Sequence, residues 1–479
     1  MDTHLQPREP FFEFGLIGLG VMGRNFILNV AEKGFRALGY DLDPGKASAL
    51  EQEGREVGAV AATTDLGDFV ARLGRPRKIM LLVPAGAVVD QVLDQLLPLL
   101  DPGDIVVDGG NSYFTDTDRR EARLKAKGLH YFGAGVSGGA EGARKGPSIM
   151  PGGSPGVYEA LRPVFEAVAA KFRGAPCVAY LGPGSAGNYV KMVHNGIEYG
   201  LMQLTAECYQ VLARLGGLSN PDLSALFHRW NQGRLQSFLI EITAKIFQQP
   251  DPLGEGELID RILDKAKQKG TGKWTSQNAM VLGIPVPTID IAVTTRAISA
   301  LKPARQEGEG RYPKPLPQRV NADLLETHCE AALYFGFLMT YAQGLHQLSA
   351  ASAEYGYGLD LATVARIWRA GCIIRAAALD AISGAYEADH ALENLLLSER
   401  FAPEITACLP GARSLLALAI AQGIPMPALS ASLSYFDAMT TARLPMNLVQ
   451  AQRDYFGSHT YERTDREGAF HTDWTGGAG

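Results

Sequence analysis

A parallel α/β domain, then an all-α domain built from a duplicated helical unit, then a short C-terminal tail: this is the architecture predicted by the 479-residue sequence. Three observations carry it. Short apolar runs alternate with helical stretches over roughly the first 180 residues, which is the pattern of strands joined by crossover helices. After Gly187 the strand signal fades and long apolar-periodic stretches take over. Within that second half, motifs recur in the same order at intervals near 140 residues.

In the first part, residues 14–17, 35–40, 78–83, 104–108 and 129–134 read as buried strands, most of them ending at Gly, Pro or Asp. They assign residues 1–186 to the sheet domain. Residues 187–442 form the helical domain, with helical periodicity over 189–215, 257–270 and 321–354. Gly200-Leu201-Met202-Gln203-Leu204-Thr205-Ala206 returns as Gly344-Leu345-His346-Gln347-Leu348-Ser349-Ala350, 144 residues later. Trp230-Asn231-Gln232-Gly233 is echoed by Trp368-Arg369-Ala370-Gly371, and Gly283-Ile284-Pro285-Val286-Pro287 by Gly423-Ile424-Pro425-Met426-Pro427. Residues 443–479 are the tail. Its Gly, Thr and charge suit a frayed end, but Tyr455, Phe456, Tyr461, Phe470 and Trp474 seek burial and point to an ordered segment that packs against a surface.

Composition narrows the function. With 46% apolar and 20% charged residues the chain has the balance of a soluble globular protein, and its length exceeds what one core supports. The 51 Asp and Glu outnumber the 45 Lys and Arg, a net charge of −6 that argues against a general nucleic-acid or anionic-membrane binder. Any anionic ligand must therefore find a local basic pocket. The cysteines, Cys177, Cys208, Cys329, Cys372 and Cys408, are scattered without CxxC spacing, so neither a disulfide framework nor a zinc site is expected, and no other metal motif is present. The N-terminal residues lack a signal pattern, and the uncharged stretch 415–436 is interrupted by Pro425 and Pro427; a cytoplasmic protein without a spanning segment is expected.

Gly18-Leu19-Gly20-Val21-Met22-Gly23 lies where an apolar strand meets a helix starting near Val21. Glycines there permit a tight turn and close approach of a pyrophosphate to the helix N-terminus, the fingerprint of a Rossmann-type dinucleotide-binding domain. The flanking strand and helix favour this over a merely structural turn. Asp41 ends the second strand, where an acidic residue accepts from ribose hydroxyls and repels a 2'-phosphate; NAD is thus expected as the preferred cofactor, with NADP as a second one. Asp43, before Pro44, is the better helix cap and leaves Asp41 free for the ribose.

On one helix, Lys191, His194, Asn195 and Glu198 fall on a common face. A solvated face is the plain reading. Shifting by 144 gives Phe335, Leu338, Met339 and Ala342, all apolar, so the duplicated scaffold buries this face, and buried polar groups there serve a ligand. The loop 135–144 contains Ser137, Gly138 and Gly139 and reads equally as an anion nest or as plain flexible chain. Asn111 lies beyond a strand end, where open α/β sheets bind ligands. Lys269, Thr271, Arg296, Arg453 and His459 stand in settings that suit a phosphate, although each alone reads as surface charge.

Taken together, the glycine fingerprint, Val-Ser-Gly-Gly-Ala-Glu-Gly-Ala-Arg at 136–144, Lys-Met-Val-His-Asn-Gly-Ile-Glu-Tyr-Gly at 191–200, Gln-Lys-Gly-Thr-Gly-Lys-Trp at 268–274 and the run at 450–462 resemble the 6-phosphogluconate dehydrogenase family over nearly the whole chain. The resemblance implies oxidative decarboxylation of 6-phosphogluconate to ribulose 5-phosphate in the pentose phosphate pathway, by a homodimer whose tail reaches the partner subunit. It implies Lys191 as general base and Glu198 as acid. It implies Gly18, Gly20, Val21, Met22, Gly23, Asp41, Val83 and Asn111 at the cofactor, and Ser137, Gly138 and Gly139 at the substrate carboxylate. Asn111, His194 and Asn195 would hold sugar hydroxyls; Tyr199, Lys269, Thr271 and Arg296 the phosphate, with Arg453 and His459 from the neighbouring chain. Most members carry Asn-Arg-Thr where this chain has Asp41-Leu42-Asp43, and loss of that Arg favours NAD; a Lys common after the fourth strand is Pro84 here, which removes another cation near the cofactor. Ala140 also departs from the pattern, and nothing in the sequence explains it. Two alternatives are a β-hydroxyacid dehydrogenase for another substrate, which would lack the duplicated half and the phosphate set, and a non-catalytic dinucleotide sensor, against which the intact Lys191 and Glu198 speak.

Overall fold

Seven strands, β1 (Phe14–Ile17), β2 (Ala37–Tyr40), β3 (Val60–Thr63), β4 (Lys78–Leu81), β5 (Ile105–Asp108), β6 (His130–Ser137) and β7 (Ser148–Gly152), form one sheet in the order β3-β2-β1-β4-β5-β6-β7. The computed structural model that shows this describes residues 11–316 and 318–474. All neighbouring strands are parallel except β6 and β7, which are antiparallel, so the sheet is not purely parallel as the sequence suggests. Two strands escape the sequence reading for physical reasons. β3 is a half-buried edge strand with a weak apolar run, Val-Ala-Ala-Thr, and β7 contains Ser, Pro and Gly, which read as a turn.

Helices α1 (Val21–Glu32), α2 (Pro44–Gly54), α3 (Leu66–Ala71), α4 (Ala87–Leu96), α5 (Phe114–Lys125), α6 (Gly139–Lys145) and α7 (Pro155–Val168) follow the strands in turn. Side chains alternate across the sheet and divide the core in two. Phe14, Leu16 and Val107 pack with α1 and α7, whereas Ile17, Ile79, Leu81 and Val106 pack with α4 and α5. The chain order reverses between β1 and β4, and the crevice at this switch point is where such sheets bind ligands. Residues 135–144 are not a loop: β6 runs on to Ser137, Gly138 turns the chain at φ 123°, and α6 begins at Gly139.

A small hairpin, β8 (Lys171–Phe172) and β9 (Ala175–Pro176), leads to the helices. These are α8 (Ala186–Val211), α9 (Asn220–Trp230), α10 (Phe238–Ile246), α11 (Thr271–Leu282), α12 (Pro287–Ala300), α13 (Lys302–Arg311), α14 (Ala322–Tyr355), α15 (Leu361–Ile367), α16 (Ala378–Ala388), α17 (Ala402–Ala421) and α18 (Pro427–Met439). The five helices α8–α12 recur in order as α14–α18, and each repeated motif falls at the same point of both sets. Trp230 ends α9 and Trp368 follows α15; Gly283 and Gly423 follow α11 and α17; Pro287 and Pro427 open α12 and α18. Ser237 and Ala376, at matching positions, pair in an isolated antiparallel bridge. Phe335, Leu338, Met339 and Ala342 are buried, as the duplication requires. Residues 257–270 depart from expectation: only Leu258–Arg261 forms a 3-10 turn, and Ile262 and Leu263 stay exposed, so the apolar spacing there has no face to bury against. By length and composition one helix among the described residues, α17, is long and apolar enough to cross a membrane; in this fold it packs along α14.

Residues to Ala431 form one compact unit and those from Ser432 another. The second contains α19 (Met446–Gly457) and a hairpin of β10 (Tyr461–Glu462) and β11 (Ala469–Phe470). Buried Asp454 organises it, accepting from the amides of Thr460 and Thr472, from Trp474 Nε1 at 2.8 Å and from His471 Nδ1 at 2.9 Å. Trp474 also packs against Tyr455 and Tyr461. The tail aromatics thus belong to an ordered unit with an internal polar centre.

Candidate active site

The glycine turn after β1 is shaped by contact. A Cβ on Gly23 would lie 1.9 Å from the Gly18 carbonyl oxygen, so the first turn of α1 rests directly on the strand end. Gly20 faces open space and caps α1 with no side chain over the free amides. Gly18, with φ 100°, touches Val83 beyond β4, which puts Val83 in the switch-point crevice; Val21 is exposed and Met22 half-buried at the same helix end. This open, uncapped helix end fits the pyrophosphate of a dinucleotide.

Asp41 is not free, contrary to the sequence reading. It accepts from the amide of Leu19 at 2.8 Å and of Asp43 at 3.0 Å, and its oxygens lie 3.2 and 3.3 Å from Lys46 Nζ. Asp43 is the cap of α2 as expected, accepting from the Gly45 amide. A carboxylate offers about four acceptor sites and these four contacts fill them, so a ribose hydroxyl would have to displace the Lys46 ammonium.

The second cluster joins three elements. Helix α8 sits on the backbone of β6 and β7: a Cβ on Gly187 would come within 2.4 Å of Met150 O and 2.7 Å of Gly133 O. This close seat carries Lys191 over Gly135 of β6. Lys191 Nζ donates to Asn195 Oδ1 at 2.8 Å, and His194 Nδ1 lies 3.0 Å from the same oxygen. Asn195 Nδ2 donates to Thr271 Oγ1 at 3.1 Å, at the start of α11. His194 Nε2 lies 3.2 Å from Ser137 Oγ at the end of β6. With Asn195 Oδ1 accepting from Nδ1–H, Nε2 is the acceptor and Ser137 donates to it, which assigns a neutral imidazole.

Burial agrees with this. It drives the His194 pKa well below its ordinary value, helped by the charge of Lys191, and lowers that of Lys191 from 10.5 to about 8 despite the opposing field of Glu198. Burial raises the Glu198 carboxyl above its usual range, against the pull of Lys191 and Arg296. The site thus pairs an amine whose proton burial loosens with a carboxyl whose proton burial holds more tightly.

Residues of the second helical repeat close the cluster, and the sequence reading assigned them no role there. Trp368 meets the His194 ring edge-on at 5.6 Å, and the Ile373 amide donates to Ser137 Oγ at 3.4 Å. The Gly371 carbonyl fills the space a Cβ would need on Gly138. The echo of Trp230–Gly233 at Trp368–Gly371 was the one signal for them.

Two models of known families together match most of the chain: the NAD binding domain of 6-phosphogluconate dehydrogenase matches residues 13–182, and the 6-phosphogluconate dehydrogenase C-terminal domain matches residues 187–474. The chain belongs to the 6-phosphogluconate dehydrogenase family. A decarboxylating 6-phosphogluconate dehydrogenase of Synechococcus elongatus is 50% identical over 96% of this chain and 99% of the relative. One of Bacillus subtilis, named NADP(+)-dependent, is 48% identical with the same coverage. Among solved structures, Plasmodium falciparum 6-phosphogluconate dehydrogenase, described as apo, with its cofactor NADP+ and with its substrate 6-phosphogluconate, superposes with a TM-score of 0.92 at 44% identity, covering 96% of this chain and 100% of that one.

The other residues implied by the family resemblance are more dispersed. Arg296 lies over the Tyr199 ring, 3.3 Å from its centre, one turn beyond Asn195 on α8. Asn111 is exposed beyond β5, and Lys269 is exposed before α11. Gly139 opens α6 with free space around it. Arg453 and His459 are exposed in the second unit, Arg453 donating to Gln450 and His459 edge-on to Phe456. Among the described residues no cluster of three or more His, Cys, Asp or Glu could hold a metal.

Proposed function

We propose that this protein carries out the oxidative decarboxylation of 6-phosphogluconate to ribulose 5-phosphate and carbon dioxide, with NAD preferred over NADP. The observation that carries it is the buried Lys191, held by Asn195 and poised to lose its proton near neutral pH. The glycine turn at Gly18–Gly23 and Val83 would hold the dinucleotide, which would supply the hydride acceptor for C3 of the sugar acid. Lys191 takes the C3 hydroxyl proton as that hydride leaves. The C3 ketone is β to the carboxylate and draws the electrons of the breaking C1–C2 bond as carbon dioxide departs. Glu198, whose carboxyl burial shifts toward the protonated form, delivers a proton to the carbon that lost the carboxylate. Ser137, Gly138 and Gly139 hold the carboxylate, Asn111, His194 and Asn195 the hydroxyls, and Tyr199, Lys269, Thr271 and Arg296 the phosphate. Turnover of 6-phosphogluconate but not of gluconate tests the reading; equal use of both would exclude a phosphate-dependent site.

NAD preference rests on Asp41 and on Leu42, a neutral side chain where most of the family has Arg. Asp41→Asn with Leu42→Arg is expected to shift the ratio of kcat/KM toward NADP by at least tenfold, by removing a negative charge and adding a phosphate partner. A wild type that already prefers NADP contradicts this assignment.

The protein acts as a homodimer in which the partner subunit's Arg453 and the partner subunit's His459 complete the phosphate site. Lys191→Met and His459→Ala homodimers are then both impaired. A hybrid of the two has one site with both defects and one with neither, and co-expression with two tags is expected to recover up to about half of wild-type activity. A hybrid no more active than its parents rules out sharing.

A further inference from the structure

Three arginines of α5 meet acids of α4, and two of them do so at the surface, Arg119 with Asp90 and Arg123 with Asp94. The side chain of the third, Arg120, has no exposure at all. Burying a guanidinium is costly, and the surface pairs already tie the two helices together, so joining α4 to α5 does not account for it. Its planar fork is used on three sides instead. Nε and Nη2 donate to the two oxygens of Asp90 at 3.0 and 2.9 Å. Nη2 also donates to the Gly86 carbonyl at 2.9 Å. Nη1 donates to Ser112 Oγ at 3.2 Å and lies 3.6 Å from Asp108 Oδ2.

Gly86 and Ser112 belong to different loops. Gly86 stands three residues after Val83, beyond β4, and Ser112 directly follows Asn111, beyond β5, so one guanidinium bridges two neighbouring loops at the switch-point crevice. Asp108 extends the bridge: its Oδ2 accepts from the Tyr131 hydroxyl at 2.7 Å and its Oδ1 from the Gly110 amide at 3.0 Å. The Gly110 carbonyl in turn accepts from Asn188 Nδ2 at 3.4 Å, and Asn188 lies on α8 one turn before Lys191. Asn111 itself is exposed, while the residues on both sides of it are held. This is a rigid mount under a side chain that faces outward.

We propose that Arg120 is a positioning residue for the redox step: it fixes the spacing of the loops 83–86 and 109–112, and with it the register of Val83 and Asn111 against Lys191. The inference rests on the dinucleotide and substrate reading above. Lysine does not substitute for it, because an ammonium can hold Asp90 but lacks the fork that reaches Gly86 and Ser112 at once.

Hydrogen exchange and steady-state kinetics of the full-length protein, for wild type, Arg120→Lys, Ser112→Ala and Arg119→Met, test this. In Arg120→Lys the amides of residues 109–113 and 85–88 are expected to exchange about tenfold faster or more, with the interiors of α4 and α5 unchanged. Its kcat for 6-phosphogluconate is expected to fall between about tenfold and a hundredfold while KM stays within about threefold, since a small misplacement of reacting groups costs rate more than binding. Ser112→Ala cuts only the branch to the β5 loop and keeps the pair with Asp90. It is expected to speed exchange at 109–113 alone and to lower kcat about threefold or more, and it carries both arms should Arg120→Lys fail to fold. Arg119→Met removes the surface partner of the same Asp90 and is expected to stay within about twofold of wild type in every readout. Unchanged exchange at 109–113 in Ser112→Ala overturns the proposal, and so does a loss of kcat that Arg119→Met shares or that KM matches. A wild type that does not oxidise 6-phosphogluconate defeats the substrate reading, and exchange alone then decides whether Arg120 holds the two loops.

Discussion

Lys191→Met is expected to lower turnover about a thousandfold or more while leaving NAD affinity within about twofold, because a general base contributes on that order and Lys191 lies away from the glycine turn. The same change is expected to make the protein more stable. The folded-state pKa of about 8 lies below the ordinary 10.5, so the folded state resists protonating this amine. That penalty is fully present below about pH 8 and disappears as pH rises toward 10.5. Removing the amine gains up to about 3 kcal/mol at pH 7 and nothing above about pH 10.5. Chemical denaturation of both proteins at two pH values measures the difference. The wild-type kcat/KM is expected to rise with pH through about 8, as the amine becomes neutral, and an acid limb far below that value would point to another base.

Gly187→Ala is expected to be a strongly damaging methyl addition at the seat of α8. Its Cβ would meet no movable side chain: the neighbours are backbone atoms, Met150 O at 2.4 Å, Gly152 N at 2.6 Å and Gly133 O at 2.7 Å. Overpacking commonly costs about 1 to 3 kcal/mol, and the upper end or beyond applies where only backbone can yield. Helix α8 must lift from β6 and β7, and Lys191 moves with it, so kcat falls along with stability. Gly308→Ala in α13, where a Cβ meets nothing, is the control and is expected to be neutral or slightly stabilising. Equal melting temperatures for the two variants would refute the close seat of α8.

Much of this arrangement is legible in the sequence because it rests on local chemistry. The glycine turn, the Asp43 cap and the polar face of α8 are written in runs of a few residues whose spacing alone fixes their geometry. The duplication supplied a built-in comparison: the apolar residues at Phe335, Leu338, Met339 and Ala342 marked the matching face of α8 as buried, which neither helix reveals alone. What the sequence hides is set by tertiary contact. Apolar spacing at 257–270 imitates a helix that finds no surface to cover, and β7 hides strand character behind Pro and Gly because its antiparallel pairing with β6 overrides local preference. Asp41 looked free because Lys46 is a separate, ordinary helix residue until α2 folds back over the strand end. The turn at Trp368–Ile373 reaches Ser137 and His194 across more than a hundred residues, a contact that no local pattern encodes.

If one site joins hydride removal at C3 to loss of the carboxylate, with Lys191 and Glu198 dividing the proton transfers, the two products form together. The most direct measurement follows absorbance at 340 nm and carbon dioxide release together, with 6-phosphogluconate and NAD. Equal amounts of reduced nucleotide and carbon dioxide, formed at the same rate and both abolished in Lys191→Met, are the predicted result. Reduced nucleotide without carbon dioxide, or wild-type rates of both in Lys191→Met, would contradict it.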